Sequence, residues 1–360
     1  MRKNVSLVLI ITLFLLSSST VLAQQEQQVS ILSLRRIEES LGINARFFSV
    51  GSETIESNTY SAVALPLQVN YAPSRYFTLN MRLNHGYQSL NENGLYSLSN
   101  LDIRARYLVG RRFTVMAGMT APTGTTELSH EEFTVSSVGK IPYINAPHIS
   151  AHSGFGYEAG ISVGEEISEN TAVAVGVAYF GKGEYIPIQS GVTYKPGNVL
   201  MLSLGLDSGS RDRIGFFGDA QLSFYSPEEM AGVQINESGF GLAFSGDFYL
   251  NPVKLTALYM QRAKSELAYG GEFQAPSVLH GTLGYMIGDG PFVPYVGYEH
   301  VSEGTRVRTA DLWLLGFSVE QFLLMDYPVS PFFEIRLGHV DHKANIVGLQ
   351  AGTRFSFQIY

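Results

Sequence analysis

The chain has 360 residues, a formal net charge of -8, no cysteine, a single tryptophan, 20 tyrosines, 22 phenylalanines and 37 glycines. Such acidity argues against a nucleic-acid partner, and the missing cysteines exclude a disulfide scaffold and a lipoprotein. Charged residues make up 16%, well below the roughly 25% of soluble domains, a mixture that suits a β-barrel in lipid better than a water-soluble enzyme.

Arg2 and Lys3 precede an apolar run from Val5 to Leu16, followed by small residues up to Ala23. This order predicts a secretory signal peptide over residues 1–23. Residues 24–42 then form a short periplasmic N-terminal segment, in which Ile31 to Leu41 has room for one or two helical turns. No later stretch reaches the roughly 20 uncharged apolar residues that a spanning helix needs. Membrane crossing, if any, falls to strands.

From Ile43 two kinds of connection alternate through residues 43–360. Short turns are expected at Ala72 to Arg75, Gly110 to Arg112, Glu165 to Asn170, Ser208 to Arg213, Asn251-Pro252, Gly288 to Pro291 and about Phe322 to Ser330. Longer polar segments are expected at Gly51 to Ser57, Ser89 to Tyr96, Thr123 to Pro147, Gly181 to Gly197, Ser226 to Glu237, Gln261 to Pro276, Ser302 to Thr309 and Asp341 to Asn345. Short periplasmic turns and long outer loops mark an outer-membrane barrel with both termini in the periplasm. Seven turns between eight loops give 16 strands; losing the first hairpin leaves 14.

Within the strands, Phe77, Leu79, Met81 and Leu83 alternate with Thr78, Asn80, Arg82 and Asn84. Leu101, Ile103, Ala105 and Tyr107 likewise oppose Asn100, Asp102, Arg104 and Arg106. The pattern returns at Leu200 to Asp207 and Phe240 to Phe248, and a period of two puts the sets on opposite faces. Pro294 interrupts a candidate strand and marks it as an edge or bulge. The final segment, Val347 to Tyr360, ends on an aromatic residue and resembles the signature read by the barrel-assembly machinery, with its terminal aromatic one register off.

If the apolar faces meet lipid, the lumen receives Arg82, Asp102, Arg104, Arg106, Glu158, Asp207, Asp219, Asp247, Glu320, Glu334, Arg336 and Arg354. Arginine in mid-membrane would cost about 2 to 4 kcal/mol, so the interior is the favourable place. Arg82, Arg104 and Arg106 then make a basic wall, and Asp207, Asp219 and Asp247 an acidic one. Such walls polarise a diffusion pore, or they form salt-bridge ladders that fill the interior.

The stretch Leu98 to Thr125 joins an Asp/Arg-alternating strand, a tight turn, a second apolar strand and a Pro-Thr-Gly exit into a long loop. In this it resembles the phenol-degradation MetA-type outer-membrane transporters and, more distantly, the FadL-like channels, as do Tyr194 to Gly197 with Leu200 to Asp207. The resemblance implies passive passage of small hydrophobic or aromatic molecules. The large N-terminal plug of the FadL channels has no counterpart in residues 24–42.

Two other classes compete. An outer-membrane enzyme would draw on His130 with Glu131 and Glu132, His148, His152 with Ser153, or the His339 and His342 pair, but no nucleophile, base and orienting group are fixed by spacing. A non-conducting, adhesin-like barrel would use the Thr123 to Pro147 loop with Phe133, Ile141, Tyr143 and Ile144, which otherwise folds inward as a constriction or forms a simple rim. The sequence thus predicts an all-β, transmembrane antiparallel β-barrel channel of the outer membrane. No enzyme activity, cofactor or metal is expected, and its partners are outer-membrane lipid, the assembly machinery and a small solute.

Overall fold

The structure, a computed structural model, describes residues 39–357 apart from 53–54, 75, 111, 126, 143, 145–153, 190, 210–213, 269, 289–290, 306–307, 320–321, 325–326 and 342–343. Among the described residues, one large antiparallel sheet dominates. Its strands are β1 (Glu39–Ser52), β2 (Ile55–Ser74), β3 (Phe77–Leu90), β4 (Asn93–Leu98 resumed as Leu101–Val109), β5 (Phe113–Ala121), β6 (Gly156–Ser168), β7 (Thr171–Lys182) and β8 (Val199–Gly209). They continue as β9 (Ile214–Tyr225), β10 (Gly239–Leu250), β11 (Val253–Arg262), β12 (Val278–Tyr285), β13 (Phe292–Val301), β14 (Ala310–Val319 resumed as Phe322–Leu324), β15 (Tyr327–Val340) and β16 (Ala344–Phe357).

Each strand pairs with its neighbours in the chain, and β1 also pairs with β16 from Glu39↔Phe357 to Gly51↔Asn345. The ladder therefore returns on itself and leaves no open edge among these strands. In lipid that is the condition for a sheet, because an unpaired backbone group has no water to bond. The count is 16 rather than 14, since the first hairpin is present along Ser40↔Gln68 to Val50↔Asn58.

The apolar sets form the exposed face. Val63, Leu65 and Leu67 on β2, Leu200, Leu202 and Leu204 on β8, and Trp313 and Leu315 on β14 are all exposed, Trp313 to 67%. So large a continuous apolar surface suits hydrocarbon. Aromatic residues cluster toward both ends of this band, with Tyr157 against Tyr179 and Tyr298 against Trp313 at one end and Phe292, Phe317 and Phe333 at the other. Such girdles belong at the two membrane interfaces.

Connections segregate by end. Residues 75–76, 110–112, 169–170, 210–213, 251–252, 286–291 and 325–326 make the short side. Residues 122–155, 183–198, 226–238, 263–277 and 302–309 lie at the other. Three expected outer loops are instead tight: the strands run on to leave only 53–54, 91–92 and 341–343. Polar side chains do not stop a ladder made by the backbone, and Asn91 and Asp341 take left-handed φ values of 53° and 51° that suit a close turn.

Glu39 to Leu41, expected in a helical turn, already belong to β1, so the sheet begins four residues before Ile43. Pairing with both β2 and β16 overrides any local helical preference. Residues 1–23, the rest of 24–42 and the terminal Tyr360 lie outside the described residues. Pro294 stands within β13 but one position beyond its last β12 pair, Gly284↔Tyr295, so its missing N–H interrupts nothing on that side.

Candidate functional site

The inner face is identified by a cluster that only a closed ring permits. Tyr60 and Ala62 of β2, Met260 of β11, Val278 of β12, Val301 of β13, Leu312 of β14, Val340 of β15 and Ile346 of β16 bury one another together with Ile144. Strand alternation then assigns the charged residues. On β15, Glu334 and Arg336 share the parity of Val340, and both are buried.

The predicted charges fall into three groups. On the arc from β3 to β6, Arg82 is the register partner of Asp102, and Asp102 accepts a hydrogen bond from Thr120 Oγ1 at 2.6 Å. Arg104 pairs with Glu158 at 2.8 Å across β5. Gly118 lies between them, and a methyl group there would come within 2.7 Å of Glu158 Oε1. The basic wall thus carries its own carboxylates.

Asp207, Asp219 and Asp247 lie on the consecutive strands β8, β9 and β10. Asp247 accepts hydrogen bonds from Thr256 Oγ1 at 2.6 Å and Tyr249 Oη at 3.4 Å. Four ladder steps separate β4 from β8, so acidic and basic groups occupy different arcs.

The third group joins Glu334 and Arg336 to residues the sequence reading missed. Arg336 Nε donates to Glu334 Oε1 at 2.6 Å and its Nη1 lies 3.6 Å from Glu299. Tyr295 Oη donates to Glu334 at 2.8 Å, and His280 Nδ1 lies 3.1 Å from Glu299. Val293, Tyr295, Gly297 and Glu299 do alternate, but Pro294 beside them obscured the strand. Glu320 and the side chain of Arg354 lie outside the described residues.

The outer end of this interior is filled. Residues 123–147, expected either as a rim or folded inward, contain a helix, α1, His130–Gly139. Ser129 Oγ accepts the Glu132 N–H at 3.2 Å and the Glu132 carboxylate accepts the Ser129 N–H at 2.8 Å. That reciprocal cap is written in the sequence as Ser129-x-x-Glu132, the signal that would have revealed the helix. A methyl group on Gly139 would lie 2.5 Å from Tyr60 Oη, so helix and barrel wall meet closely.

Three further loop segments hold α1. Leu128 and Phe133 bury against Leu95, Tyr185 and Tyr194, with Ile188, Met230 and Ile235 packed alongside. Bridges run from Leu128 to Ile188 and from Asn236 to Leu267, and Tyr194–Lys195, Glu229–Met230 and Val233–Gln234 form a small sheet. Tyr194 Oη donates to Glu228 at 2.9 Å. Burial, then the Glu228 charge, hold that phenol well above its ordinary range, so it remains a donor. Arg262 sits 3.6 Å from Glu228 and 4.3 Å over the Tyr225 ring. Four loops thus form one packed plug.

The catalytic candidates do not converge. His130 and Glu131 are exposed on α1, Glu132 is used in the cap, and His339 is exposed in register with Asp311. His148, His152, Ser153, His342 and Tyr143 lie outside the described residues. Among the described residues no group of three or more His, Asp or Glu side chains is placed to hold a metal ion.

The fold is that of the outer-membrane β-barrels. The chain is similar to Pseudomonas putida OprB, at 10% identity and a TM-score of 0.52 over 93% of this chain and 97% of that one. It is also similar to Pseudomonas aeruginosa OpdL, at 8% identity and a TM-score of 0.50 over 90% and 99%. A more distant likeness, at 8% identity and a TM-score of 0.41 over 92% and 100%, is to the COG4313 outer membrane channel of Pseudomonas putida F1. No family model matches the sequence, and no curated protein is significantly similar to it.

Proposed function

We propose that this chain is a passive outer-membrane channel for small molecules. The observation that carries the reading is the closed ring of strands with apolar side chains outside and paired charges inside. A solute path through lipid needs a polar interior of this kind, and the carboxylates Asp207, Asp219 and Asp247 and the arginines on the opposite arc supply one. The twelve charged positions read from the sequence would line that path, with Arg104–Glu158 on one arc and Asp207, Asp219 and Asp247 on another. Lipid around the band, the barrel-assembly machinery and the solute itself are the partners this role implies, and no enzyme chemistry is needed.

The place of the chain among MetA-type and FadL-like transporters rests on the Leu98 to Thr125 motif. A passage for hydrophobic solutes is supported by the apolar inner wall at the outer end, where Val301, Leu312 and Ile346 are buried. Purified chain reconstituted in planar bilayers is expected to give discrete conductance steps. Absence of both conductance and solute flux from liposomes, with a folded barrel, would refute the proposal and favour a structural or loop-binding role.

A further inference from the structure

The wall beneath the plug carries more positive charge than its neighbours answer. Lys182 is the last residue of β7 and Arg262 the last of β11, and their parity with the buried Ala178 and Met260 puts both on the inner face at the outer mouth. The plug sets one buried carboxylate against them, that of Glu228. Its Oε1 lies 3.6 Å from Arg262 Nη2 and its Oε2 accepts from Tyr194 Oη at 2.9 Å, so both oxygens are committed. The other carboxylates of these loops are engaged elsewhere or exposed. Glu229 pairs with Lys195 and Glu272 with Lys264, and Glu184, Glu237 and Glu266 are exposed. Two cations thus share a single buried carboxylate.

The remaining donors gather around the same place. Arg262 Nε and Tyr185 Oη have no hydrogen-bond partner among the described residues, although their side chains belong to residues only 5% and 6% exposed. The half-buried Lys182 amine has no described residue in ion-pair contact, and the Glu228 and Arg262 charges act on it from farther off. The Glu228 charge also acts on the Tyr185 hydroxyl, whose ring stands edge-on to Tyr194 at 5.7 Å. A buried cation and buried donors left unpaired are costly, and an acceptor of unit negative charge would satisfy them together. The wall leaves room for one. At this level β10 contributes Gly239, where a methyl group would come no nearer than 3.9 Å to Ser265.

We infer that Lys182, Arg262 and Tyr185 bind a small monoanion, a halide or a carboxylate group, which fastens the plug to the barrel wall beside Glu228. The single excess charge selects a monoanion over a dianion. The rings of Tyr225 and Phe273, with centroids 4.3 and 5.8 Å from the Arg262 guanidinium, limit its size. The site is independent of whether the barrel conducts.

Equilibrium dialysis of the purified full chain in a zwitterionic detergent against labelled chloride, with gluconate holding the ionic strength constant, reads the site directly. A single saturable site is expected, with acetate competing for it. Lys182→Met and Arg262→Met should each weaken binding about 10- to 100-fold, the range for a hydrogen bond to a charged group. Lys182→Gln provides a further neutral variant if either does not fold. Glu228→Gln keeps an acceptor for Tyr194 while removing the nearest negative charge, so it should tighten binding. Lys195→Met, an exposed lysine of the plug, should leave binding unchanged. No saturable binding of chloride or acetate would overturn the inference. Binding that persists unweakened in the Lys182 and Arg262 variants, or that falls equally in Lys195→Met, would mark an adventitious ion only and overturn it as well.

Discussion

Phe133→Ala is the sharpest test of the plug as a separate, displaceable unit. Phe133 is 1% exposed and buries against Leu95, Leu128, Tyr185 and Tyr194, so its removal leaves a cavity among loops rather than in the lipid-facing sheet. Phenylalanine-to-alanine changes at such sites cost about 3 to 5 kcal/mol. At about 1.4 kcal/mol per factor of ten, docking of the plug weakens by two to nearly four orders of magnitude. Trypsin reads this directly, because the Lys140–Ile141 bond is enclosed in the docked state. When reclosing outpaces cleavage, the cleavage rate follows the open population. Cutting after Lys140 should accelerate at least 100-fold in Phe133→Ala, with higher conductance and an intact barrel. Native-like resistance at Lys140 in a folded variant would show that the helix is held by something other than this packing.

Ser129→Ala removes the acceptor for the Glu132 N–H and should cost about 1 kcal/mol, raising the same trypsin cleavage about fivefold. Leu204→Arg, on a position 49% exposed on the outer band, should destabilise the barrel in phospholipid vesicles by about 2 to 4 kcal/mol while conductance per inserted molecule stays unchanged. A loss well below that range in urea titration would remove Leu204 from the hydrocarbon. Arg104→Glu sets a second carboxylate beside Glu158, and the reversal potential across a salt gradient should shift toward cation selectivity. An unmoved potential would mean that this pair lies off the ion path.

Strand and face were legible in the sequence where apolar and charged residues alternate strictly, as from Phe77 to Asn84 and from Leu200 to Asp207. Each such side chain falls on the outer or the inner face of its strand, and a period of two decides which. Loop structure was much less legible. Ser52 and Ile55 fall within the loop expected at Gly51 to Ser57, yet they belong to β1 and β2 because their backbones pair with one another, which no side-chain pattern reports. The plug depends on contacts between segments far apart in the chain, Leu128 with Ile188 and Tyr194 with Glu228, and no local rule brings them together. The exception is Ser129 with Glu132, a local signal that marks the only long helix among the described residues. Pairing of Arg104 with Glu158 likewise needed the register of β4, β5 and β6, because those charges are separated by a whole strand.

Pairing of β1 with β16 makes closure of the ring an event that waits for both the first and the last strand of the sheet. Removing either β1 or β16 would yield an open sheet with two sticky margins, and such margins recruit other chains. The seam between β1 and β16, rather than any one hairpin, decides whether a closed ring or an aggregate results.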